Sequence, residues 1–118
     1  MLRCRFTGMI LASALLPSPA AAQSIDEDIR CMVLSNVFAK GAKDAVPREA
    51  AANSLLYYLG RVAARVPATE LKSRYLAQVG ALQGQALDLL MNSCFKQFRA
   101  QERAITSMSQ EAAAPTDL

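Results

Sequence analysis

Residues 87–98 read LDLLMNSCFKQF, and this stretch decides the fold. Leu87, Leu90, Met91, Cys94, Phe95 and Phe98 recur at intervals of three and four. That interval places them on one side of an α-helix, because the helix turns every 3.6 residues. The spacing predicts a helix from about Gln85 to Met108, with Cys94 inside its apolar seam.

A second cysteine occupies the same kind of position near the other end. Ile25 to Lys40 reads as a helix, in which Cys31, Leu34 and Phe38 form a stripe that Ile29, Val33 and Val37 widen. Ser24 with Glu27 three residues on gives a capping box. Asp26, Glu27 and Asp28 put negative charge at the positive end of the helix dipole, and Gly41 suits its stop.

Two further helices fit between these. Pro47 suits a first turn, and Ala52, Leu55, Leu59, Val62 and Val66 predict a buried face on a helix from about Arg48 to Arg65. Gly60 lowers helix propensity there and is a candidate for close backbone approach. Pro67 opens a third, shorter helix with Leu71, Tyr75, Gln78 or Val79, and Leu82 on its stripe. Gly80 and Gly84 bracket the break before the last helix. No stretch alternates as a half-buried strand does. The expected fold is all-α, a small bundle of about four helices linked by a disulfide.

The disulfide follows from the compartment that residues 1–22 imply. Arg3 and Arg5 precede an apolar run from Phe6 to Leu16. Pro17 and Pro19 break the run, and Ala20, Ala21 and Ala22 supply small residues for cleavage before Gln23. That order is the pattern of an export signal, and the run is too short to span a bilayer. The expected organisation is a signal peptide over 1–22, a helical domain over 23–108 and a flexible tail over 109–118. The expected location is periplasmic or secreted. Cleavage removes Cys4 and leaves Cys31 and Cys94, an even pair in an oxidising compartment. A bridge across that interval is worth roughly 4 kcal/mol in the chain-entropy model.

Composition excludes much else. Of the 118 residues none is histidine, which removes the commonest catalytic base and zinc ligand. Without the signal's two arginines, eleven basic residues face ten acidic ones, so bulk electrostatics gives no reason to expect a nucleic acid partner. There is no Cys-x-x-Cys, no phosphate-binding glycine loop and no nucleophile elbow. No catalytic residue, metal ligand or cofactor is assigned.

The candidate binding residues are Tyr57, Arg61 and Arg65. Adjacent Tyr57 and Tyr58 cannot share one face, and Tyr57 is the one expected outward. Arg61 and Arg65 follow it at steps of four, forming one edge suited to a carboxylate, a sugar acid or a lipid headgroup. The plainer alternative is a wet edge with the tyrosine packed on arginine methylenes. On the last helix, Lys96, Arg99 and Arg103 interleave with Phe95, Phe98 and Ile105. Membrane-surface contact is the disfavoured reading of that pattern, and no transmembrane segment is expected. Phe98, Ile105 and Met108 instead suggest a homodimer seam running past the monomer core.

The signal segment, the Cys31-Met32 pair and the Asn92-Ser93-Cys94 stretch resemble small exported all-helical proteins of alpha-proteobacterial type. The likeness rests on residues 1–31 and 85–98. The chain also loosely resembles acid-stress periplasmic chaperones, which implies holding of unfolded clients. The functional expectation is a non-catalytic exported protein that binds a protein or other partner. A periplasmic stress chaperone is the alternative, and an enzyme of unknown reaction is a further one.

Overall fold

A computed structural model of the chain describes residues 23–113. The expected signal over 1–22 and the last five residues of the expected tail lie outside that range. Four helices follow in order: α1 (Ile25–Gly41), α2 (Ala45–Ala63), α3 (Ala68–Ala81) and α4 (Leu87–Ala113). They form an all-α four-helix bundle.

α1 starts where its capping box requires. Ser24 Oγ accepts from the Glu27 amide at 3.1 Å, and the Glu27 carboxylate accepts from the Ser24 amide at 3.1 Å. The helix then becomes the centre of the molecule, packing against α2, α3 and α4 in turn. Asp28, Ile29 and the whole run from Cys31 to Ser35 are buried. A helix enclosed on most sides needs apolar residues on most sides, and the run Cys31-Met32-Val33-Leu34 supplies them. Val37 lies beyond the enclosed part and is exposed, although the stripe included it.

α2 begins three residues earlier than Arg48, and Pro47 sits inside its first turn. Its buried residues are Ala51, Ser54, Tyr58 and Val62. Leu55 is only half-buried and Leu59 is exposed, which corrects the expected face. The reason is the contact with α1. Ala51 and Ser54 are small, so the two helices approach closely, and Ser54 Oγ lies 2.8 Å from Ser35 Oγ in a buried hydrogen bond. Gly60 plays no part in this, because a Cβ there would meet nothing within 4 Å.

Cys31 and Cys94 are bonded, with 5.5 Å between their Cα atoms. Both are buried in the core with Met91. Beside them, the Tyr58 hydroxyl donates to the Cys94 carbonyl at 2.7 Å, tying α2 to the same point on α4. Burial of the Tyr58 phenol, with the neighbouring Tyr57 second, pushes its pKa up from 10.0 to about 12.

α3 is held more lightly. None of its residues is fully buried, and it packs on α1 with little contact to α2 or α4. Asn36 Nδ2 donates to Tyr75 Oη at 3.0 Å across the α1–α3 contact. Arg74 lies 3.9 Å from Asp26 and 3.8 Å from Glu70, exposed pairs of the kind worth about 0–1 kcal/mol. The α3–α4 connector turns at Gly84, whose φ of 74° is left-handed and suits glycine.

α4 continues as helix to Ala113, five residues past its expected end. The residues expected to begin a flexible tail at 109 are therefore helical as far as 113. Every residue from Arg99 to Ala113 is exposed, so the second half of α4 projects without a partner among the described residues.

Candidate functional site

The structure brings Tyr57 and Arg61 of α2 together with Arg65, which lies in the turn just past the helix because α2 ends at Ala63, two residues short of its expected end. It also shows what the two guanidinium groups do. Arg61 Nε donates to both carboxylate oxygens of Asp28, at 3.1 and 3.0 Å. Arg65 donates to the same carboxylate through its terminal nitrogen. Asp28 is fully buried, while the two arginines keep 30% and 35% of their side chains exposed. The burial rule for charge explains the arrangement: a carboxylate can leave water only where strong donors replace it. One cation of α2 and one of the turn after it thus meet one anion of α1. Asp28 was legible only as a helix-end charge, since its partners lie 33 and 37 positions away.

Tyr57 completes the cluster from the other side. It is half-buried, as its place beside fully buried Tyr58 requires, and its ring meets Tyr58 edge-on at 4.8 Å and Phe98 at 5.5 Å. The Arg61 guanidinium lies 5.7 Å from its ring centre, and its hydroxyl oxygen is enclosed without a hydrogen-bond partner. The edge joins α1, α2 and α4. Its guanidinium groups are engaged first by Asp28. Among the described residues, no group of three His, Cys, Asp or Glu side chains is placed to hold a metal ion. No described helix is long and apolar enough to cross a membrane.

Two other surfaces are open. The first is a groove of about 490 Å³ between α2 and α3. It exists because both helices pack on α1 and scarcely on each other. Leu55 and Leu59 form one wall, Leu71, Tyr75 and Leu76 the other, and Met32 lies on the floor. Leu59 is 40% exposed and Leu76 56% exposed. Among the described residues, Lys72 is the only charged one lining it. The sequence carried a signal for this groove that the periodicity argument did not use. Five apolar residues in a row, Leu55 to Leu59, are more than the face against α1 can take.

The second open surface is the distal half of α4, where Ile105 is 59% and Met108 60% exposed. Lys96, Arg99 and Arg103 lie on the other side of that helix, with the Arg99 guanidinium 5.9 Å from the Phe95 ring centre. Comparison of the chain with known protein families, curated proteins and solved structures returns no match.

Proposed function

We propose that the protein is an exported, non-catalytic binding module whose α2–α3 groove receives an amphipathic helix of a protein partner. The observation that carries this reading is the groove itself: a mostly apolar depression between two helices, with exposed Leu59 and Leu76 on its walls and Lys72 as the one charge among its described lining residues. Helix-in-groove recognition needs that shape, with apolar anchors on the ligand at i, i+3 or i+4. Exposed leucines in a contiguous wall mark interaction surfaces more often than bare solvent boundaries. Export is supported by the order of features in residues 1–22 and by the paired cysteines, since such bonds persist in oxidising compartments.

Tyr57, Arg61 and Arg65 take a supporting part in this proposal. They fix α2 against α1 and so set one wall of the groove. Their remaining donors can still meet an anionic group at the surface.

The test is site-specific photo-crosslinking in exporting cells. A photoreactive residue at position 76 or 59 is expected to capture a protein, and one at the exposed connector residue Lys43 is expected to capture none. Equal labelling at all three positions, or none at 76 and 59, overturns the proposal.

A further inference from the structure

We infer that the helix received by the groove is the distal half of α4 from a second copy of this chain, exchanged reciprocally between two protomers; this rests on the groove reading above.

The α4 stripe does not stop where the monomer core stops. Leu87, Met91, Cys94 and Phe98 pack in or against the core. Gln101, Ile105, Met108 and Ala112 continue the same alternation of four and three on the same side of the helix. An apolar face kept in register over these further turns, with Ile105 and Met108 more than half exposed, is shaped for a partner. The arm cannot serve its own groove. α4 is unbroken from Leu87 to Ala113 and fixed at its root by the disulfide and by Tyr58, so it does not turn back.

Charge suits a second copy, and the arm is long enough to run the whole groove wall and extend past it. At 100° per residue, Lys96, Arg99 and Arg103 fall opposite the Ile105–Met108 face, while Glu102 and Glu111 flank it on its two sides. Among the described residues, the one charge lining the groove is Lys72. An arm lying in the groove therefore brings an acidic flank toward a lysine and leaves its cations in water. From Arg99 to Ala113 the arm is about 22 Å long, against about 12 Å for the groove wall between Ala68 and Leu76. Reciprocal exchange closes with two-fold symmetry, so assembly stops at two. It also covers the groove and the Ile105–Met108 face of each copy at once.

Sedimentation velocity on oxidised protein recovered from exporting cells tests this. A monomer–dimer equilibrium is expected between about 1 and 500 µM. An Ile105→Asp/Met108→Asp variant and a Leu76→Asp variant are each expected to raise the dissociation constant at least about 100-fold, as burial of an unpaired charge requires. Leu59→Gln provides a milder second change to the groove. All four positions are exposed in the monomer, and circular dichroism confirms that each variant is folded. Mixing the arm variant with the Leu76→Asp variant is expected to restore association, because one intact arm then meets one intact groove. Monomer at every concentration overturns the inference. So do groove variants that dimerise like the parent protein, which is the result of arm-on-arm pairing, and so does a mixture that stays monomeric. If the protein is monomeric while position 76 crosslinks a different protein, the groove reading stands and the second-copy inference falls. If position 76 captures nothing and no dimer forms, both fall.

Discussion

The cluster of Asp28 with Arg61 and Arg65 makes an asymmetric prediction. Asp28→Ala removes a fully buried anion and leaves two arginines that already reach water, at 30% and 35% exposure. The cost is the lost charge-assisted bonds and the lost first-turn acid, together about 2 kcal/mol. Arg61→Ala with Arg65→Ala does the opposite and leaves the carboxylate buried without a cation. Loss of a partner from such a pair costs about 3–5 kcal/mol, with the low end apt here because the vacated space admits water. Adding Asp28→Ala to that double variant removes the stranded charge. The triple variant is therefore expected to be more stable than the double variant by about 1 kcal/mol. Urea unfolding of the oxidised protein, followed by the helical circular dichroism band, measures all of these on one scale. The argument fails if the double variant is no less stable than Asp28→Ala, or if the triple variant is the least stable of the set.

Three further expectations concern other parts of the fold. Gly60→Ala is expected to stabilise the protein by about 0.5–1 kcal/mol, because a Cβ there meets nothing, whereas Gly84→Ala is expected to destabilise it by about 1 kcal/mol through its left-handed φ. Tyr58 has a folded pKa raised from 10.0 to about 12, so its contribution is complete below pH 10 and is lost as pH climbs through 12. The loss is about 2–3 kcal/mol, and it is read as the difference between the parent protein and Tyr58→Phe in unfolding free energy from pH 9 to pH 12; parallel curves refute it. Replacement of both Cys31 and Cys94 by alanine is expected to lower the unfolding free energy by roughly 4 kcal/mol, and a cost below about 1 kcal/mol would show that the bridge constrains little.

Local signals reached a long way in this chain. The Ser24–Glu27 box, Pro47, Pro67 and Gly84 are short-range features, and the helix boundaries follow them to within a few residues. The pairing of Cys31 with Cys94 followed from two cysteines being left once the signal is removed, and the helical seams placed both in the core. What stayed hidden depends on partners distant in sequence. The α2 face turned toward the core is Ala51, Ser54, Tyr58 and Val62, fixed by the Ser54–Ser35 contact 19 positions away and by the Tyr58 bond to the Cys94 carbonyl 36 positions away. Asp28 is buried because Arg61 of α2 and Arg65 of the following turn come to it, so its first-turn position described only part of its role. The Tyr57–Arg61–Arg65 edge was visible as a row on one helix, but its engagement with α1 was not. The groove could not be read from any one helix, since it arises from the failure of α2 and α3 to pack together.

The account rests on α1 and α4 being locked together in a processed, oxidised chain, because that anchor fixes both the groove and the projecting arm. Intact-mass analysis of protein recovered from exporting cells, with thiol alkylation and N-terminal sequencing, tests it most directly. The expected product begins at Gln23, takes up no alkylating agent before reduction and takes up two equivalents after it. A product that retains residues 1–22, or one alkylated at Cys31 and Cys94 without reduction, contradicts the account.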